Sequence, residues 1–148
     1  MKKNNIILIG FMGVGKGTVA RALVKASDMM AIDTDDIIER MENSAKWLAK
    51  NVKSTIIATG GGFYKQEKLN KIGKVVYLKS SFQGILDRIH SAPNAANKLK
   101  KRPLLQDMEA ASKLFNERAP QYEEVADIIV DVEKKDINLI VEEILGQI

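Results

Sequence analysis

The 148-residue sequence contains no cysteine and a single histidine, His90. Disulfides, thiol nucleophiles and cysteine-based metal centres are therefore excluded. The absence of cysteine suits a reducing compartment, and a cytoplasmic location is the expectation. His90, alone at a helix end, reads as a solvated cap rather than a catalyst. Aromatics are scarce at 5%, and the one tryptophan, Trp47, reads as packing. No apolar run is long enough to span a bilayer. Met1-Lys2-Lys3 and the apolar run after it imitate a signal peptide, but no small-x-small cleavage site follows, and Lys16 and Arg21 come straight after. There is no basic stripe interleaved with aromatics, so the net charge of +4 makes no case for nucleic acid and fits anionic small-molecule ligands instead. No internal repeat or low-complexity linker divides the chain, and residues 1–148 read as one domain with an ordinary 45% hydrophobic content.

What the chain does have begins at Ile6. Four apolar residues, Ile6 to Ile9, read as a buried strand, and Gly10-Phe11-Met12-Gly13-Val14-Gly15-Lys16 follows before a helical pattern. Strand, glycine-rich loop and helix are the context in which G-x-x-x-x-G-K binds phosphate. Glycines let successive N–H groups turn inward toward an anion. The helix N-terminus adds free donors and a positive dipole end, and Lys16 adds a cation for the β- and γ-phosphates. The residue after the lysine is usually Ser or Thr, whose hydroxyl ligates Mg²⁺; here it is Gly17, with Thr18 next. The competing reading is a glycine-rich turn that binds nothing.

Thr18 to Ala26 reads as an amphipathic helix with Val19, Leu23 and Ala26 inward. Residues 29–32 form a second short strand ending at Asp33-Thr34-Asp35-Asp36. Carboxylates at the C-terminal edge of a strand lie where open parallel sheets bind ligands; the plainer alternative is a helix N-cap. Residues 44–50 suggest a short helix. Residues 54–59 form a β-branched strand that runs into Gly60-Gly61-Gly62, glycines that are costly unless backbone must approach something closely. Gln66 to Ile72 reads as a helix, 74–78 as a strand, and Phe82 to Ile89 as an amphipathic helix. Residues 90–101 are polar, small and basic and read as a surface loop leading to Arg102. Glu109 to Ala119 reads as a helix stopped by Pro120. Asp127 to Val130 is a last strand and Ile137 to Leu145 a closing helix. Strands alternating with helices predict an α/β sandwich with a mostly parallel central sheet covered by helices on both faces.

A phosphate cradle, carboxylates, a close-approach backbone and arginines on one sheet edge are the parts phosphoryl transfer requires, where positioning and charge neutralisation carry catalysis. Lys16, Arg102 and Arg118 are the cations for the transferring group, and the two aspartates serve a metal and an acceptor hydroxyl.

Taken in order, FMGVGKGTVARAL, AIDTDDII, ATGGGF, KRPLL and NERAPQYEEVADIIVD resemble the shikimate kinase family over nearly the whole chain. The resemblance implies a P-loop fold with a five-stranded parallel sheet, a monomer, and transfer of the ATP γ-phosphate to the 3-hydroxyl of shikimate with Mg²⁺. It also implies site roles. Gly13, Val14, Gly15, Lys16, Gly17 and Thr18 would contact ATP phosphates, and Thr18 and Asp33 would serve the metal, Asp33 through water. Asp35 would bind shikimate hydroxyls and act as base or orienter. Gly60, Gly61, Gly62 and Arg118 would form the shikimate site, with Arg118 on its carboxylate. Arg102 would be a lid arginine reaching ATP, Arg88 would stack on adenine, and Val132 to Lys135 would border it.

Three departures accompany the resemblance. Gly17 replaces the usual Ser, as in the G-K-G-T of adenylate kinases. Between Asp35 and Gly60 the family has about two more helices, which carry a second arginine for shikimate, whereas Glu42-Asn43-Ser44-Ala45 joins the flanks directly. Either the chain has lost this part or the sequence is joined across an omitted segment; the match of both flanks favours the latter. The stretch from Arg88 to Arg102 is long for the lid. Alternatives are another small P-loop kinase, acting on nucleoside monophosphates or gluconate, and a nucleotide-binding module without turnover.

Overall fold

The computed structural model describes residues 4–34, Leu48, 52–60, 62–65, 69–91 and 107–148. Five strands form one parallel sheet: β1 (Ile6–Ile9), β2 (Met30–Asp33), β3 (Thr55–Ala58), β4 (Lys74–Lys79) and β5 (Ile128–Asp131), in the order β2-β3-β1-β4-β5. The register sets Ile6 beside Ile56 and Lys74, Asp33 beside Ala58, and Lys79 beside Asp131. The three central strands are apolar and β-branched, and helices on both faces bury them, as parallel sheets require. All of β1 and β3 is buried, whereas β2, on one edge, is largely exposed.

The helices are α1 (Lys16–Ala26), α2 (Leu69–Ile72), α3 (Phe82–His90), α4 (Met108–Val125) and α5 (Ile137–Gln147), with a 3₁₀ turn at Phe63–Lys65 that the sequence pattern did not suggest. In α1 the inward face is Val19, Ala20 and Leu23; Ala26 is exposed, contrary to expectation, because it lies in the last turn beyond the sheet. In α5 the buried residues are Ile140, Val141 and Ile144, while Ile137 and Leu145 are half-buried. At the N-terminal edge of the sheet, Asn5 joins three elements. Its Nδ2 donates to the carbonyls of Val52 and Ile72, and its Oδ1 accepts from Thr55 N–H.

One boundary corrects the sequence reading. Helix α4 does not stop before Pro120 but continues through it to Val125. Proline removes one N–H and crowds the preceding turn, so the last turn must be held from outside. Gln121 Nε2 donates to the Glu117 carbonyl at 3.0 Å. Tyr122 is buried between Tyr64 and Tyr77, with ring centroids 4.6 Å and 5.2 Å away. That burial outweighs the local preference. The predicted helix over 44–50 lies outside the described residues except for Leu48, which is helical and buried.

Candidate functional site

Because the sheet is parallel, the C-terminal ends of all five strands share one edge. The loop after β1 is built by left-handed glycines. Gly13 and Gly15 have φ of 83° and 106°. A methyl at Gly13 would come within 2.6 Å of Ile89 Cδ1, and one at Gly15 within 2.8 Å of Arg88 Nη2. Phe11 anchors the loop from below: it is buried, with edge-to-face contacts to Phe115 at 5.3 Å and Phe82 at 6.2 Å. Val14 is buried as well, its Cγ1 packed close to Gly10.

Helix α1 starts differently from three others in the chain. Ser81, Asp107 and Asp136 cap α3, α4 and α5 with side-chain acceptors. At α1 the N-cap is Gly15, no side chain caps the first turn, and no acidic residue stands in it. Lys16 occupies the first helical position, where the dipole disfavours a cation. A helix start left without side-chain acceptors and given a cation is suited to an anion. Lys16 Nζ donates within the loop, to the carbonyls of Gly10 at 2.6 Å and Phe11 at 3.2 Å.

Thr18 is the second anchor. Its Oγ1 accepts from Arg88 Nη2 at 3.1 Å and from Arg21 Nη2 at 3.4 Å, while Arg88 Nη1 donates to the Gly13 carbonyl at 3.2 Å. Arg88 thus bridges α3 to both ends of the phosphate loop. At Gly17 there is room for a side chain, the nearest atom being Arg21 Nη1 at 3.4 Å. A hard cation takes oxygen ligands and, for Mg²⁺, keeps several waters. The Asp33 carboxylate, exposed at the end of β2, fits that donor chemistry. The Thr18 hydroxyl fits only if Arg88 gives it up.

The ends of β1, β2 and β3 are tied together by two buried threonines. Thr34 N–H donates to the Ala58 carbonyl at 2.9 Å, and its Oγ1 accepts from Gly60 N–H at 2.9 Å. Thr59 Oγ1 donates to the Leu8 carbonyl at 2.8 Å. These bonds bring Asp33, Gly60 and the phosphate loop to one place. The sequence offers Thr34 only as a possible helix N-cap and gives Thr59 no role. Gly62 is exposed, and a methyl there would meet nothing within 4 Å, so the fold itself does not require that glycine.

Arg118 comes to the same side through α4. Tyr64, two residues beyond Gly62, donates its hydroxyl to Gln121 Oε1 at 2.9 Å and packs on Tyr122. Arg118 is half-buried one turn before Tyr122, close enough for its charge to act on the Tyr122 hydroxyl. Burial raises the Tyr122 pKa, and Arg118 offsets part of that rise. Burial, with Glu123 adding to it, pushes Tyr77 up to about 12.

A cleft of about 360 Å³ opens beside the loop. Val14, Val19, Ile85, Val132, Ile137 and Ile140 give it an apolar lining, and Arg88 and Glu133 line it as well. Asp35, Gly61 and Arg102 lie outside the described residues, as does most of the expected loop over 90–101, which begins at the end of α3. His90, the last residue of α3, is exposed. Among the described residues no helix is long and apolar enough to cross a membrane.

The parallel five-stranded sheet, the glycine loop after β1 and the uncapped helix after the loop define a P-loop phosphotransferase fold. A family model described as shikimate kinase matches residues 42–148, and one described as an AAA domain matches residues 6–66. The shikimate kinase of Chromobacterium violaceum is 33% identical, with 97% of this chain and 89% of that protein covered. That of Lactococcus lactis subsp. lactis is 37% identical, with 95% of each covered. The solved structure of a shikimate kinase from Acinetobacter baumannii in complex with shikimate superposes with a TM-score of 0.74 at 27% identity, covering 98% of this chain and 92% of that one. The chain belongs to the shikimate kinase family. Its alignment with the Chromobacterium protein runs over 171 positions, more than its own length, so that relative carries internal residues with no counterpart here.

Proposed function

We propose that the chain transfers the γ-phosphate of ATP to the 3-hydroxyl of shikimate, giving shikimate 3-phosphate. The observation that carries the donor half is the start of α1, where three glycines and Lys16 stand in place of a side-chain cap. Gly13, Val14, Gly15, Gly17 and Thr18 would present backbone N–H groups, and Thr18 its hydroxyl, to the phosphates. Lys16 would exchange the Gly10 and Phe11 carbonyls for phosphate oxygens. A divalent metal such as Mg²⁺ would neutralise phosphate charge when bound, with Asp33 as the carboxylate for it and Thr18 as a candidate hydroxyl.

The acceptor half rests on the family and on α4. Arg118, steadied by Tyr122, would pair with the shikimate carboxylate, for which its planar fork is suited. Gly60, Gly61 and Gly62 would let the ring lie against backbone, and the open space at Gly62 supports this. Asp35 would take or orient the proton of the acceptor hydroxyl, and Arg102 would offset charge on the transferring group. Arg88 and the cleft beside it would take the adenine. The relative's extra internal residues, against a full sequence of 148 residues, support a shortened acceptor subdomain in this single-domain chain rather than the omitted segment that the flanks near Asn43 favoured. A monomeric, cytoplasmic enzyme fits the cysteine-free composition.

A coupled ADP-release assay tests the reading. Turnover should depend on shikimate and be absent with gluconate or a nucleoside monophosphate. Shikimate-independent turnover, or turnover with one of the other acceptors alone, would overturn it. Asp35→Asn should abolish transfer while leaving ATP binding nearly intact.

A further inference from the structure

Helix α3 carries a glycine in its first turn, Gly84, where most residues would favour the helix more. The reason lies across the cleft. A methyl at Gly84 would come within 2.7 Å of Glu133 Cδ and Oε1 and within 2.6 Å of Ser80 Oγ. Glu133 comes this close because its carboxylate is bound to the start of α3. Oε1 accepts from the Ser81 hydroxyl at 2.8 Å and Oε2 from Ser81 N–H at 3.2 Å. The same hydroxyl accepts from Gly84 N–H at 3.0 Å, capping the helix. A carboxylate at this end of a helix is favoured by the dipole, and bonds to a charged acceptor are stronger than neutral ones.

Glu133 is equally well held from its own side. Its N–H donates to Asp131 Oδ1 at 2.9 Å, and Val132 N–H donates to the Lys79 carbonyl at 2.9 Å. Lys134 follows with φ of 58°, and Lys135 pairs with Glu143 on α5 at 2.9 Å. The turn after β5 is therefore held at several points, and among the described residues its hydrogen bonds to the start of α3 come from one carboxylate. Arg88, one helical turn beyond Gly84, binds the phosphate loop. Two parts of the cleft lining, Arg88 and residues 132–135, are thus referred to the same short helix.

We propose that Glu133 is the positioning residue of the nucleotide-base cleft: bound to Ser81 and admitted by Gly84, it sets the spacing between the 132–135 turn and Arg88. This rests on the reading of the cleft as the base site of ATP. Glu133 acts through the turn, so its loss changes how well the base fits and leaves the transfer step and the acceptor site alone.

The test is steady-state kinetics of the full chain, varying ATP and shikimate separately, with thermal unfolding alongside. Glu133→Ala removes both charge-assisted bonds to Ser81 and should raise the KM for ATP at least about tenfold. The kcat at saturating ATP and the KM for shikimate should stay within about twofold. Glu133→Gln keeps an oxygen acceptor for Ser81 and should recover most of the ATP affinity. Gly84→Ala should raise the KM for ATP as Glu133→Ala does, since its methyl displaces the carboxylate. An unchanged KM for ATP in Glu133→Ala, beside a wild type that saturates with ATP, would overturn the proposal alone. Parallel loss of kcat and of affinity for both substrates would overturn it in favour of a general structural role. A wild type that never saturates with ATP would overturn the base-site reading and the proposal with it.

Discussion

Two glycines two residues apart, one at the end of the phosphate loop and one inside α1, should respond oppositely to the same methyl group. Gly15 has φ of 106°, where an L-residue is strained by about 1–3 kcal/mol. Its methyl would also meet Arg88 at 2.8–2.9 Å and push the guanidinium off Gly13 and Thr18. Gly17 lies inside α1, and its nearest neighbour is the flexible end of Arg21 at 3.4 Å. Alanine there restricts the unfolded chain and favours the helix, stabilising by about 0.4–1 kcal/mol. The two variants should therefore differ by about 1.5–4 kcal/mol. With a urea dependence of about 1–3 kcal/mol per molar, their unfolding midpoints should separate by about 0.5–4 M, wild type lying between. The assay is urea unfolding followed by far-ultraviolet circular dichroism. Coincident midpoints, or a Gly17→Ala less stable than wild type, would refute the account of loop geometry.

Other positions give further expectations. Thr34→Val leaves the Gly60 N–H without its acceptor and should cost about 1–3 kcal/mol in urea unfolding, while Thr34→Ser should recover most of it. Tyr122→Phe removes only the hydroxyl on which the Arg118 charge acts; the KM for shikimate should rise about three- to tenfold and that for ATP should not change. Stability should fall in alkali. Tyr77 is raised to about 12 and Tyr122 is raised too, so from about pH 10 the unfolded chain loses these protons while the folded chain keeps them. The slope reaches about 1.4 kcal/mol per pH unit for Tyr77. Lys79, raised by its bond to Glu123, acts in the same direction. A melting temperature flat from pH 8 to pH 11 would contradict this.

Much of the fold is local in origin and so was legible in the sequence. The apolar runs at Ile6–Ile9, Thr55–Ala58 and Lys74–Lys79 became central strands because little else can satisfy four or more consecutive buried residues between turn signals. The phosphate loop is legible for the same reason, since its glycines and lysine act through backbone geometry within ten residues. What depends on distant partners was not. Helix α4 passes Pro120 because Tyr122 is caught between Tyr64 and Tyr77, contacts that span more than forty residues. Thr34, Thr59 and Glu133 look ordinary in sequence and gain their roles from Gly60, Leu8 and Ser81. Gly84 could have been noticed, because a glycine early in a strongly amphipathic helix has a cost that needs a cause. Arg88 was expected at the adenine, and the structure adds its bonds to Gly13 and Thr18.

The most direct test of the account is the identity of the product. Purified chain, ATP, Mg²⁺ and shikimate should be incubated together and followed by phosphorus-31 NMR. The account predicts ADP and a single phosphate monoester, shikimate 3-phosphate, formed one to one, with neither appearing when shikimate is left out. ADP accumulating without the monoester, or equally fast without shikimate, would contradict it.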